Sequence, residues 1–160
     1  MDKNIEAGIK LRAAGKLTEA NQLLLKIYAT DSENPFLNYQ LAWSFDVLGQ
    51  EAEAVPFYEK ALALGLEQEY LAEAYLGLGS TYRTLGKYPQ AKTLFAKAIK
   101  QFPEHNALKV FFAMSLFNLN EHQQGMEILL KLLATTSNDP TIQKFNQAIL
   151  FYADKLNQTW

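Results

Sequence analysis

Apolar positions recur along the chain at the spacing of amphipathic helices, in segments that are separated by short turns. Pro56 lies inside the fourth of these segments, where its ring is expected to bend the helix or loosen it locally. The pattern predicts an all-helical protein with helices at about 2–14, 17–30, 35–48, 51–64, 68–85, 88–101, 105–119, 122–136 and 141–156.

The turns between these segments fall at a nearly fixed spacing. Gly15, Gly49, Gly86 and Asn120 lie 34, 37 and 34 residues apart, and each is followed five residues later by alanine or glycine. Glycine, and after it asparagine, tolerates the left-handed conformation with which many helices end. A repeat period in the mid-thirties is typical of stacked helix pairs, in which each pair contacts its neighbours.

The repeated residues resemble the signature of the tetratricopeptide repeat family. The resemblance covers roughly residues 2–138 and is strongest in the third repeat. That repeat matches at Tyr75, Leu78, Gly79, Tyr82, Gly86, Ala91, Phe95, Ala98 and Pro103, and the second at Leu41, Ala42, Phe45, Gly49, Ala54, Tyr58 and Ala61.

This resemblance implies a right-handed superhelical α-solenoid of four helix-turn-helix units with a C-terminal capping helix. Residues 1–160 are then expected to form a single domain. Its repeats would span about 1–34, 35–68, 72–105 and 106–139, and its capping helix about 141–156.

Composition narrows the classes of function. The 160 residues are 49% hydrophobic, carry a formal net charge of −2 and include no cysteine. The charge does not favour nucleic acid or an anionic membrane, and the lack of thiols removes disulfides and the usual zinc ligand sets. No apolar run approaches the roughly 20 residues of a membrane helix, and no secretion signal is recognised at the start. We expect a cytoplasmic protein without nucleic-acid or membrane partners.

Residues that could carry catalysis are not grouped in the sequence. His105 and His122 stand at predicted helix starts beside glutamates, where solvated side chains are the ordinary interpretation. The glycines are explained by turns and packing, so no phosphate-binding loop is predicted. We expect no enzyme activity, no metal and no cofactor.

The resemblance implies that the first helix of each repeat lines a concave surface, which in this chain is rich in apolar residues. A large exposed apolar surface normally marks an interaction site, although aromatic residues at helical spacing are also ordinary core. A chaperone C-terminal tail is not an expected ligand, because the cationic residues that hold its carboxylate are absent here. The predicted contacts with a protein or peptide are Tyr39, Trp43, Phe111, Met114 and Phe117, with Arg12, Gln40 and Arg83 fixing orientation.

The last predicted helix favours an alternative function. It carries more apolar residues than a capping helix with a polar outer face needs. The chain is therefore also interpreted as a structural homodimer whose apolar surfaces are buried by self-association, and the sequence leaves open whether this helix caps the array or occupies the groove. The candidate cap or dimer residues are Ile142, Phe145, Ile149, Leu150 and Phe151.

Overall fold

A computed structural model of the chain describes residues 3–160. Met1 and Asp2, with which the predicted first repeat and first helix begin, lie outside the described residues. Within the described part the secondary structure is helical, without strands. The helices are α1 (Lys3–Ala13), α2 (Leu17–Tyr28), α3 (Pro35–Asp46), α4 (Glu51–Ala63), α5 (Gln68–Thr84), α6 (Tyr88–Gln101), α7 (Asn106–Asn118), α8 (His122–Thr136), α9 (Pro140–Lys144) and α10 (Asn146–Tyr152).

The chain divides into two compact units, Met1–Lys87 and Tyr88–Trp160. We call them unit 1, which contains α1 to α5, and unit 2, which contains α6 to α10. The boundary falls between the two helices of the third repeat. That residues 1–160 form a single domain stays a prediction.

Small residues in unit 1 allow the paired helices to approach closely. α1 packs on α2, and α3 packs on α4. A β-carbon at Gly8 of α1 would lie 2.8 Å from Cδ2 of Leu24, so any other residue at this position would force that fully buried leucine to shift. Ala20 and Ala54, which follow the first two turns by five residues, are also fully buried. The repeated small positions are therefore helix–helix contacts, as the sequence pattern predicts.

The four turns at Gly15, Gly49, Gly86 and Asn120 have the left-handed conformation that the sequence predicts. Gly15, Gly49 and Gly86 have φ angles of 77°, 70° and 74°, and Asn120 has a φ of 62°. Asn120 is the one residue other than glycine with positive φ among residues 3–160. The turn after α7 is thus built like the others, with asparagine in the place of glycine.

Local capping fixes the start of α3, the helix that carries Trp43. Asn34 is the N-cap, and its Oδ1 accepts a hydrogen bond from the Leu37 backbone N–H at 3.0 Å. Pro35 occupies the first helical turn, where its missing N–H is not needed.

α4 is continuous from Glu51 to Ala63, with Pro56 inside it on an exposed side. Whether Pro56 bends or loosens α4 stays a prediction.

The C-terminal segment differs from the single helix predicted over 141–156. Asp139 caps α9, and the chain leaves helical geometry at Phe145, whose φ and ψ are −110° and 12°. α10 then begins at Asn146, a residue type whose side chain competes for backbone hydrogen bonds and weakens helix interiors. After this break α10 packs along α8, and Ala153 is fully buried. Two short helices therefore stand where one was expected.

Candidate partner-binding surface

Trp43 differs from its neighbours in α3 because its side chain is exposed to solvent and theirs are buried. Every other residue from Leu37 to Phe45 is buried, whereas Trp43 exposes 42% of its surface. The guanidinium carbon of Arg12, on α1, lies 4.0 Å from the centroid of the Trp43 ring. This distance is typical of a cation–π contact, which holds the indole in place.

Arg12 is itself held by the main chain and side chain of Gln40. Its Nη1 donates a hydrogen bond to the Gln40 carbonyl oxygen at 3.1 Å, and its Nη2 donates to Gln40 Oε1 at 2.5 Å. Arg12 is 9% exposed and Gln40 is 4% exposed. Burial lowers the pKa of Arg12, and the neighbouring phenols of Tyr39 and Tyr58 act in the opposite direction. The guanidinium is therefore fixed in one orientation against Trp43.

Tyr39 lies beneath this surface. It is 4% exposed, and its ring centroid lies 6.0 Å from that of Trp43 and 6.1 Å from that of Tyr70. Burial raises the pKa of Tyr39 to about 12. Tyr39 and Gln40, both predicted as contacts, are thus packed beneath or beside Trp43. Among the predicted contacts on α3, Trp43 is the exposed one.

A partly buried polar network connects α3 to α4 and α5. The hydroxyl of Tyr58 donates to Asp46 Oδ2 at 2.7 Å, and Thr81 Oγ1 donates to Asp46 Oδ1 at 2.9 Å. Burial raises the pKa of Asp46, although both hydrogen bonds act to lower it. The network joins three helices of unit 1. The network was not predicted from the sequence, in which its one signal is an aspartate at the end of a helix that carries no other charged residue.

Unit 2 has an exposed apolar strip on α7, the first helix of its repeat. Phe117 is 64% exposed and Met114 is 39% exposed. Phe111, one turn earlier, is half-buried, and its ring centroid lies 6.4 Å from that of Phe95. The ring of Phe117 lies 4.8 Å from that of His122. Arg83, the remaining predicted contact, is half-buried on α5 of unit 1.

The C-terminal candidates are unequally exposed. Phe145 and Phe151 are 56% and 51% exposed, whereas Ile142, Ile149 and Leu150 are half-buried. The ring of Phe151 also lies 5.9 Å from that of Trp160, which is 82% exposed and which sequence analysis did not single out. Trp160 lies beyond the last helix, where helical periodicity gives no signal.

Across residues 3–160 no group of three or more His, Cys, Asp or Glu side chains is placed to hold a metal ion. In the same part of the chain, each helix falls short of the length or the apolar character that crossing a membrane requires.

Helix pairs, left-handed turns of glycine or asparagine and small residues at the helix contacts define an all-helical repeat protein. The family described as Tetratrico peptide repeat matches residues 34–156, which is well over half of the chain. The chain belongs to this tetratricopeptide repeat family. The family resemblance stated from the sequence is therefore confirmed, as is the all-helical repeat fold.

Solved structures share the fold at low sequence identity. The chain resembles YrrB, described as a TPR protein with an unusual peptide-binding site, with a TM-score of 0.72, 23% identity, and coverage of 93% of this chain and 71% of that one. It resembles MamA with a TM-score of 0.74, 19% identity, and coverage of 97% and 92%.

Curated relatives are matched over short parts of their length. Superkiller protein 3 of Saccharomyces cerevisiae is 26% identical over 108 residues, which is 63% of this chain and 7% of that protein. DnaJ homolog subfamily C member 3 of Homo sapiens is 29% identical over 109 residues, which is 68% of this chain and 21% of that protein. The chain therefore spans a small fraction of these relatives. Its fold is that of a family of protein-interaction scaffolds.

Proposed function

We propose that the chain is a protein–protein interaction module that binds a peptide or a partner helix, with Trp43 as the anchor. The observation that carries this proposal is the exposure of Trp43 within an otherwise buried stretch of α3, with Arg12 stacked on its ring. A rigid, partly exposed aromatic residue beside an arginine is the composition most often found at the energetic centre of protein interfaces.

Two further observations support the proposal. Met114 and Phe117 of unit 2 also expose large apolar side chains, and they lie on the first helix of a repeat, as Trp43 does. Large exposed apolar side chains grouped on one helix favour an interaction surface. The similar protein YrrB is described as having a peptide-binding site. Cytoplasmic location and the absence of catalysis remain proposals, which cell fractionation and activity screening would test.

The experiment uses a library of random twelve-residue peptides displayed on phage and selected on the immobilised full chain. We expect enriched peptides whose synthetic forms bind the wild type. Trp43→Ala is expected to weaken their binding at least tenfold, because it removes the anchor, while the helical circular dichroism signal is unchanged. Trp160→Ala is the matched control, since it removes the other exposed indole of the chain.

Three results would contradict the proposal. Failure to enrich any peptide would argue against a peptide-binding surface. Equal binding by wild type and Trp43→Ala would remove Trp43 from the surface. Unfolding of both Trp43→Ala and the milder Trp43→Phe would assign the indole to the core.

The second candidate function is homodimerisation through unit 2. Leu24, Tyr58, Phe95 and Leu129 occupy equivalent positions in the four repeats, and the first three are 0%, 2% and 0% exposed, whereas Leu129 is 38% exposed. Met126 and Leu133, on the same face of α8, are 47% and 43% exposed. This face of α8 is therefore partly exposed, and a second copy of the chain would cover it.

Light scattering tests the dimer. We expect the full chain to have twice its mass of 18.1 kDa, and the Leu129→Glu variant to be a monomer, because a charge on this face of α8 opposes its burial. A full chain that is monomeric at the highest soluble concentration would exclude this function. A Leu129→Glu variant that remains dimeric and folded would place the interface elsewhere.

A further inference from the structure

We propose that Arg12, together with Gln40 and Trp43, forms a subsite for a carboxylate side chain of the bound peptide. The recognised sequence would then combine an internal aspartate or glutamate with an apolar residue that lies on Trp43. This inference rests on the proposed function and names the chemistry of its ligand.

The first observation is a buried cation whose hydrogen-bond acceptors and stacked ring are neutral. Arg12 is nine-tenths buried. The contacts that the structure shows for its guanidinium within residues 3–160 are two oxygens of Gln40 and the ring of Trp43. Withdrawing a positive charge from water costs free energy that neutral acceptors offset only in part. A ligand carboxylate would supply the missing negative charge.

The second observation is that Gln40 does not engage all the N–H donors of the guanidinium. A guanidinium carries five N–H donors in one plane, and Gln40 accepts two of these hydrogen bonds. Because Gln40 is itself buried, the orientation of the Arg12 guanidinium is set before a ligand binds. A preorganised arginine is suited to a carboxylate, which can accept two parallel hydrogen bonds.

The charge and position of the subsite specify its ligand further. A single guanidinium matches the single charge of a carboxylate, whereas phosphorylated peptides are generally bound by clusters of arginines. The guanidinium carbon of Arg12 lies 4.0 Å from the centroid of the Trp43 ring, and Trp43 is 42% exposed, so a peptide group that binds Arg12 lies close to the indole. An acidic residue and an apolar residue would therefore be neighbours in the ligand.

A purely structural role for Arg12 makes a different prediction. Arg12 on α1 ties that helix to α3 through Gln40. If that were its whole role, changing Arg12 would alter stability but not the sequence preference of the bound peptide. The test therefore reads out sequence preference as well as affinity.

The experiment selects the same phage library on the wild type and on Arg12→Gln. The peptides are fused to the coat protein by their C-termini, so they offer no free C-terminal carboxylate. We expect wild-type peptides to be enriched in aspartate or glutamate within three positions of an apolar residue. Arg12→Gln keeps a polar side chain of similar reach without the charge, and its peptides are expected to keep the apolar residue and lose the acidic enrichment.

A binding cycle then measures the coupling. The best wild-type peptide is synthesised with an amidated C-terminus, and its acidic residue is replaced by the matching amide. We expect this replacement to weaken binding to the wild type by about tenfold, in keeping with a charge-assisted hydrogen bond, and to leave binding to Arg12→Gln unchanged. Lys10→Gln, on the same helix but exposed, is the control and should preserve the tenfold effect.

The outcomes separate this inference from the function on which it rests. Peptides that depend on Trp43 but show no acidic preference would overturn the carboxylate subsite and leave the binding module intact. Failure to enrich any peptide would overturn both. If Arg12→Gln does not fold, the comparison of acidic and amide peptides on the wild type decides: equal affinities overturn the subsite, and a tenfold loss supports it.

Discussion

Tyr58 of α4 occupies the space that a β-carbon at Gly77 of α5 would need. The ring carbon Cζ of Tyr58 lies 2.6 Å from that position, and the hydroxyl oxygen lies closer still. Tyr58 is 2% exposed and its hydroxyl is bonded to Asp46, so the ring is not free to move aside. The approach of α4 to α5 therefore depends on the absence of a side chain at residue 77.

Gly77→Ala is expected to lower the free energy of unfolding by about 1–3 kcal/mol, the usual cost of overpacking. Urea unfolding followed by circular dichroism measures it. In a Tyr58→Leu background the same change should cost less, because the ring is gone. Ser80→Ala, on the same helix, should change stability by less than about 0.5 kcal/mol. Equal costs of Gly77→Ala in both backgrounds would show that the ring is not the obstacle.

Asp46 provides a prediction about pH. Burial, the largest cause, raises its pKa above the ordinary value of 3.8, and the charge of Glu51 adds to the shift. The folded state thus holds this proton more tightly than the unfolded state does. Its contribution to stability therefore falls as the pH rises from about 4 through the raised folded pKa. Ionised Asp46 is expected to be less favourable at pH 7 than a neutral side chain of the same shape.

Asp46→Asn is therefore expected to have a higher free energy of unfolding than the wild type at pH 7, and the difference should shrink at pH 4. Its amide oxygen can still accept a hydrogen bond from one of the two hydroxyl groups, of Tyr58 and Thr81, and its NH2 group can donate to the oxygen of the other. Urea titrations at the two pH values measure the effect, with the exposed Glu19→Gln as control. A variant that is less stable than the wild type at pH 7 but not at pH 4 would show that hydrogen bonds to the ionised carboxylate outweigh the cost of burial.

The repeat organisation was predictable from the sequence because turns and small residues are local signals. A left-handed turn requires glycine or asparagine wherever it occurs, and a close helix contact requires a small side chain, as at Ala20 and Ala54. These requirements do not depend on knowing which helices are neighbours. Helix bounds and repeat spacing therefore agree closely with the sequence analysis through α8.

The details of the site depend on contacts between distant parts of the chain, which no local pattern encodes. Arg12 was expected to orient a ligand, but the sequence does not show that its guanidinium is buried against Gln40 and Trp43. Tyr39 has the same helical spacing whether it faces a partner or the interior. The break at Phe145 likewise depends on how residues after it pack on α8.

Asn120 allows a direct test of the turn chemistry. Its φ of 62° is one that alanine adopts only at a cost of about 1–2 kcal/mol, whereas glycine adopts it freely. Asn120→Ala is therefore expected to lower the melting temperature, and Asn120→Gly to leave it unchanged or raise it. Differential scanning calorimetry measures both. Equal effects of the two substitutions would mean that the side chain of Asn120, and not its backbone angle, stabilises the turn.

The equivalent leucines of the first and last repeats should respond differently to the same substitution. Leu24 is fully buried, so Leu24→Ala is expected to cost about 2–5 kcal/mol of unfolding free energy through lost contacts and the cavity it leaves. Leu129 is 38% exposed, and Leu129→Ala is expected to cost less than about 1 kcal/mol in the monomer. Thermal melts at low protein concentration measure both. A cost at Leu129 that approaches the cost at Leu24, and that grows as protein concentration rises, would show that a second copy covers α8 and would favour the dimer over the free surface.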